Sequence, residues 1–252
     1  CNQAFYEGKI SEEESRTVKE IVSNVFGYDY TKIPDCYVVG KKIEGEKTLL
    51  LDRSEISDLT PFSALRGLTF LNLNGNKIRD ISPLNSLVNL KVLLLDNNQI
   101  EEISPLIELS IIEEISLSGN KIKTLPPNLD MDSLRELSLR DNEIKDIHPL
   151  ITLNNLTSLQ IQNNPILDFS SLGLLLSLEK LYLAGEEIND ISFLKDLIQL
   201  KELSISGSPL NDISTLRNLT SLEELSLTRL ALIDLGPLKN LKKKKKLDLQ
   251  QN

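Results

Sequence analysis

The pattern L-x-L-x-x-N returns every 22 residues, at Leu71, Leu93, Ile115, Leu137, Leu159, Leu181, Leu203, Leu225 and Leu247, and one step further back reaches Leu49. Ten such units span roughly 48–252, the last one incomplete at Asn252. A repeat this short cannot bury its own apolar face, so it folds only by stacking on its neighbours. Numbering each unit from its first Leu, apolar residues recur at positions 1, 3, 8, 11, 14, 17 and 20, and only Asn128 and Lys244 break the rule. Alternation over positions 1 to 3 predicts a short strand, and the spacing of three over positions 11 to 20 predicts a looser helical turn.

Three polar columns run through the repeat. Position 6 is Asn in Asn76, Asn98, Asn120, Asn142, Asn164 and Asn252. A carboxamide there can satisfy backbone groups of adjacent coils. Ser54, Glu186, Ser208 and Leu230 depart from it, which implies either a tolerated weak ladder or a softened segment that opens for a partner. Position 12 is usually Ser or Thr, often followed by Pro, and its hydroxyl is expected to cap the turn. Position 10 is Asp in Asp58, Asp80, Asp146, Asp168, Asp190, Asp212 and Asp234, a column suited to turn hydrogen bonds. One carboxylate per coil does not converge the six or more oxygens that calcium needs.

The 22-residue form L-x-L-x-x-N-x-I-x-D-I-x-P-L resembles the leucine-rich repeats of bacterial internalin-like surface proteins and of a phosphatase-1 regulatory subunit. The resemblance covers about four fifths of the chain. It implies an α/β leucine-rich repeat solenoid, a curved horseshoe with a parallel concave sheet, short 3₁₀-like convex turns and an N-terminal helical cap.

Residues 1–47 lack the repeat and are read as that cap. Ser11-Glu-Glu-Glu14 has the form of a capping box, and Val18, Ile21, Val22, Val25 and Phe26 follow at helical spacing before Gly27. One amphipathic helix of about 15 residues is expected to cover the first coil. At the other end, no covering element follows the last strand, an arrangement that invites self-association. The run Lys242–Lys246 is read there as a solvated, poorly packed terminus rather than a site for anionic lipid or nucleic acid.

Composition narrows function further. The net charge of −9 argues against a nucleic-acid partner, which needs a basic stripe to displace counterions. No apolar run approaches the roughly 20 residues of a membrane-spanning helix, and two cysteines with His148 make no metal cluster. No cofactor or metal is expected, and no nucleophile, metalloprotease or nucleotide-binding motif is present, so the chain reads as non-catalytic. A chain beginning at Cys1 resembles a mature bacterial lipoprotein with its thiol free for lipid, the only membrane link expected. A chance start there, or a Cys1–Cys36 disulfide, is the alternative.

Positions 0, 2 and 4 of each strand point away from the buried Leu pair and would line the concave face. They give an apolar cluster at Leu50, Phe70, Val92 and Leu94, then Glu114, Glu136, Arg140, Gln160, Gln162, Lys180, Tyr182 and Glu202. The cluster marks either an interface or a surface covered by the N-terminal segment with Phe5 and Tyr6. Arg140 and Tyr182 are residue types enriched in binding hot spots. The resemblance implies a secreted or surface-attached bacterial module binding a protein, host or otherwise extracellular, through this face. The alternative is a cytoplasmic regulatory subunit docking on an enzyme such as a phosphatase.

Overall fold

The computed structural model describes residues 11–26, 45–185, 188–207, 210 and 212–252. The chain forms two compact units, Cys1–Lys121 and Ile122–Asn252. The first holds helix α1 (Glu12–Phe26) and parallel strands β1 (Thr48–Leu50), β2 (Phe70–Asn72), β3 (Val92–Leu94) and β4 (Glu114–Ser116), paired in chain order. The second holds β5 (Glu136–Ser138), β6 (Ser158–Gln160), β7 (Lys180–Ala184), β8 (Glu202–Ser206), β9 (Glu224–Thr228) and β10 (Lys246–Asp248), likewise parallel and consecutive. Each register step is 22 residues, as in Phe70 opposite Val92 and Glu202 opposite Glu224. Each unit is thus a leucine-rich repeat solenoid.

Alternation sets the strands. Positions 1 and 3 are buried, as at Leu71 and Leu73 or Leu203 and Ile205, while their neighbours stay half-exposed. At position 5 the backbone turns left-handed (φ 54 to 59° at Arg53, Asn97, Asp141, Asn163, Arg229 and Gln251, 69° at Gly75 and Gly119), ending the strand at the same place in these coils. Eight coils then cross back through a five-residue 3₁₀ turn, such as Ser82–Ser86, that buries a position-14 side chain such as Leu84. The coil holding Asn128 makes no such turn: Asn128 is exposed and Leu129 fills the core in its place. Pro126 and Pro127 stand where other coils start their turn, and Leu125 and the flank of the following coil border a hollow of ≈ 490 Å³ with Lys123, Lys145, Pro149 and Pro165.

The turn cap differs from expectation. The N-cap is the apolar residue at position 11, which makes no side-chain cap, and the position-10 carboxylate does the capping. Asp80 Oδ1 accepts the Ser82 N–H at 2.8 Å, and the same bond joins Asp146 to His148 and Asp168 to Ser170 at 2.8 Å and Glu102 to Ser104 at 3.0 Å. The Ser82 hydroxyl, expected to accept, instead donates to Asp80 Oδ1 at 2.5 Å. The physical reason is reach: a carboxylate two residues upstream closes an Asx-type ring onto that N–H, whereas the serine is already inside the turn.

These bonds to the ionised form hold Asp80, Glu102, Asp168 and Asp212 below their ordinary pKa values. A carboxylate whose pKa is depressed in the folded state stabilises it above the unfolded pKa and loses that contribution as pH falls through the folded one. The melting temperature is therefore expected to hold steady above about pH 5 and to fall below about pH 4, and the Asp80→Asn/Asp168→Asn variant should show a shallower fall. A melting curve unchanged from neutral to acidic pH would contradict the cap.

Helix α1 begins where Ser11 Oγ accepts the Glu14 N–H at 3.0 Å. Ile21 and Val22 are buried and Val18 and Val25 half-buried, but the covered face also includes Ser15 and Thr17. Thr17 earns its place by donating to Asp58 O at 2.8 Å. Asn24 Nδ2 donates to Leu50 O at 2.6 Å and Asn24 Oδ1 accepts from Leu50 N at 3.5 Å, so one carboxamide serves the outer edge of β1 as a further strand would. The side chain of Phe26, together with Cys1, Phe5, Tyr6, Gly27 and Cys36, lies outside the described residues.

The asparagine ladder is built as its column suggests. Asn98 Nδ2 donates to Leu73 O and Leu95 O, both at 3.0 Å, and Asn98 Oδ1 accepts the Ile78 N–H at 3.1 Å. Asn76, Asn120 and Asn164 repeat the arrangement. Where the column lapses in the second unit, the strands lengthen: β7, β8 and β9 have five residues against three elsewhere, β1 in the coil of Ser54 included. The position-5 N–H also reaches further, 3.2 Å into the coils of Glu186, Ser208 and Leu230 against 2.7 to 2.9 Å into those of Asn76, Asn98, Asn120 and Asn164. Leu230 is fully buried, and its backbone carbonyl takes the Leu210 N–H at 2.9 Å. Glu186 and Ser208 are outside the described residues.

Candidate functional site: the strand surfaces of the two units

In the first unit, the solvent-facing strand positions begin apolar. Leu50 is 52% exposed, and Phe70, Val92 and Leu94 are half-buried on β2 and β3. Polar residues follow beside them: Asp96 Oδ1 accepts the Ser116 hydroxyl at 2.6 Å and the Ser118 N–H at 2.7 Å, and Glu114 sits next to Val92 on β4. Side chains here are held by bonds to the neighbouring coil, so the surface is pre-formed.

The second unit is chemically richer. Glu136 on β5, Gln160 on β6 and Gln162 just beyond it precede Tyr182 on β7, whose hydroxyl donates to Glu202 at 2.6 Å. Burial and this bond push the Tyr182 pKa well up, and the same bond with Lys180 holds Glu202 below the usual carboxylate range. Tyr182 therefore stays a neutral hydroxyl and Glu202 an anion at any physiological pH. Lys180 pairs with Glu202 and Lys246 with Glu224, each at 3.3 Å. Behind Tyr182 the small Ser204 and Ser226 open a hollow of ≈ 220 Å³, walled by Tyr182, Glu202, Glu224, Lys246 and Asp248.

Arg140 and Tyr182 differ in setting. The Arg140 guanidinium is tied to Asp141 at 2.8 Å, which also accepts from Asn163 Nδ2 at 2.6 Å, on the exposed rim where the backbone turns. Tyr182 borders the hollow, and Arg140 is not among its lining residues. Gln162 Oε1 is buried with no hydrogen-bond partner.

Lys246 and Asp248 were missed as site residues because the lysine run reads as a frayed end. Instead β10 pairs with β9, and two of the five lysines are engaged, Lys245 with Glu223 at 2.6 Å and Lys246 with Glu224 at 3.3 Å. The readable signal was charge alternation two residues before each strand's first Leu: Glu179, Lys201, Glu223, Lys245. Glu179–Lys201 closes at 2.7 Å in the same way. Among the described residues no group of His, Cys, Asp and Glu side chains is placed to hold a metal ion, and no helix is long and apolar enough to cross a membrane.

The family model described as Leucine Rich repeats (2 copies) matches residues 66–108 and 132–174. Among solved structures, internalin C2 from Listeria monocytogenes is 25% identical over 92% of each chain, with a TM-score of 0.67. A Leptospira interrogans leucine-rich repeat protein is 22% identical, covering 85% of this chain and 57% of that one, with a TM-score of 0.61. The functional domain of InlJ from Listeria monocytogenes, whose repeats include a cysteine ladder, is 20% identical over 93% of this chain and 59% of its own, with a TM-score of 0.57. Comparison with curated protein sequences gave no match. Two stretches of the chain match the leucine-rich repeat model, and its fold is similar to that of internalin C2.

Proposed function

We propose that the chain is a secreted or surface-attached bacterial module that binds an extracellular protein through the strand face of its second unit, with Tyr182 as the central contact. The observation carrying this reading is the hollow behind Tyr182, an aromatic wall and two serines framed by Glu202, Glu224 and Asp248. An aromatic side chain held by a hydrogen bond presents a large surface at little entropic cost, and the surrounding carboxylates favour a basic partner. Glu136, Gln160, Gln162 and Arg140 extend the contact along the same unit, while Phe70, Val92, Leu94 and Glu114 offer a second, more apolar contact on the first. Likeness to internalin C2 over 92% of the chain supports the extracellular setting.

The test compares the wild type with Tyr182→Ala/Arg140→Ala in capture from surface-protein extracts, followed by titration of whatever the wild type retains. Both side chains are partly exposed, so melting temperature should move by less than about 2 °C, while affinity falls on the order of tenfold or more and weakens with added salt. Equal capture by both proteins would remove this face from consideration. Location is tested separately by the intact mass of the protein from its native source: an acylated Cys1 supports surface attachment, and a free thiol within an extended N-terminus overturns it.

A further inference from the structure

Charges on the strand edge of the second unit alternate from coil to coil, whereas on the opposite turns they repeat. The fourth residue of three successive 3₁₀ turns is cationic: Lys195 in Ser192–Asp196, Arg217 in Ser214–Asn218 and Lys239 in Gly236–Asn240. Lys242 and Lys243 follow directly and are exposed, with Lys244 half-buried beside them. Like charges stacked at the coil pitch, about 5 Å at the strands, repel one another. On a chain of net charge −9 that leaves a local excess of positive charge.

The nearby carboxylates cancel it only in part: after the bond from the Ser214 N–H, the attraction of Arg217 helps to lower the Asp212 pKa. Lys195 has Asp196 at 3.9 Å, but among the described residues Arg217, Lys239, Lys242 and Lys243 make no ion pair within 4.0 Å. Asp212 and Asp234 spend an oxygen each on the N–H of Ser214 and Gly236, at 2.7 Å. Glu223, which Lys243 also influences, is held by Lys245.

We propose that this cationic strip, Arg217, Lys239, Lys242 and Lys243 with Lys195 at its far end, binds a linear polyanion of phosphate groups. Diverging phosphate oxygens let one group reach cations on two coils, and the Arg217 guanidinium can bind one in a two-pronged manner. Residues 214–244 contain no aromatic side chain, and Phe193 beside Lys195 is stacked on Phe169 with ring centroids 6.1 Å apart, so the strip suits a phosphate chain better than single-stranded nucleic acid. No residue of the strip lines the Tyr182 hollow, so this inference stands or falls independently of the protein-binding reading.

The probe is fluorescently labelled linear polyphosphate, followed by anisotropy. About four phosphate contacts give a log–log salt slope near −3, so affinity should drop about fifty-fold between 50 and 200 mM salt. The triple variant Arg217→Gln/Lys239→Gln/Lys243→Gln should bind on the order of tenfold or more weaker with its melting curve unchanged. The matched net-charge control Arg66→Gln/Lys77→Gln/Lys121→Gln, on the first unit, should bind like the wild type. Equal loss in both triple variants, or no loss in the first, overturns the strip. So does competition by orthophosphate at equal phosphate concentration, or tighter binding to a single-stranded oligonucleotide or to phosphatidylserine vesicles.

Discussion

Asn98→Leu is expected to lower the stability of the first unit by about 1 to 3 kcal/mol, read as a shift of the denaturant midpoint without a change of binding-face chemistry. The residue is buried and makes three backbone contacts: it donates to Leu73 O and Leu95 O and accepts from Ile78 N. Leucine fits the volume but leaves the Ile78 amide without a partner in a place water cannot reach, while Leu73 O keeps Asn76 Nδ2 at 2.8 Å and Leu95 O keeps Asn120 Nδ2 at 3.0 Å. Each stranded group costs about 1 to 3 kcal/mol, with the lower end favoured where the coil can relax. Leu230 shows what relaxation looks like, with a backbone carbonyl taking over the N–H that a carboxamide takes elsewhere. That exchange accompanies longer strands on both sides, which β2 to β4 do not have. A midpoint within experimental error of wild type would mean the ladder is ornamental.

Phe62→Ala should cost about 3 to 5 kcal/mol. Phe62 is fully buried at position 14 of its coil, in the turn Thr60–Ala64, where the corresponding slots of later coils, Asn128 apart, hold leucine. Leu59 and Leu65 of the same coil are buried with it, and helix α1 packs on that coil, with Thr17 bonded to Asp58 O. Truncation leaves a cavity that the rigid turn cannot close, since Pro61 fixes its entry and Asp58 caps its first N–H at 2.8 Å. Phe62→Leu restores the residue type of the other coils and should recover most of the loss. If alanine and leucine variants melted together, the turn would have to be far more compliant than its hydrogen bonding indicates.

Repetition made the fold readable, because an error at one coil is corrected by nine others. Positions 1 and 3 recur as apolar in each coil and position 6 does one job wherever it is Asn, so their residue type names the job. What escaped was relational. The turn cap was assigned to the hydroxyl at position 12, because serine is the commoner capping residue; only geometry shows Asp80 reaching the N–H first. Asn128 looked like a hole in the core, yet Leu129 one residue on fills it, a register shift that a fixed template cannot register. The strand-face residues were legible as a list, since parity alone decides which side chains point outward. Their pairing was not: that Tyr182 leans on Glu202 while Arg140 turns to its own neighbour Asp141 depends on rotamers, not on spacing. Lys246 and Asp248 were overlooked because a run of lysines looks like a solvated end until β9 is seen beside it.

The lapse of the asparagine column in the second unit makes that unit a chain of unequal springs. In a one-dimensional array the whole is only as cooperative as its weakest nearest-neighbour coupling. Around Asn164, side chain and backbone both tie one coil to the one before; from β7 to β9 the strands pair over five residues instead of three, while the position-5 bonds stand at 3.2 Å. The coupling between coils therefore changes kind beside Tyr182, from side-chain ladder to longer strand pairing, and a partner on this face would be holding that junction.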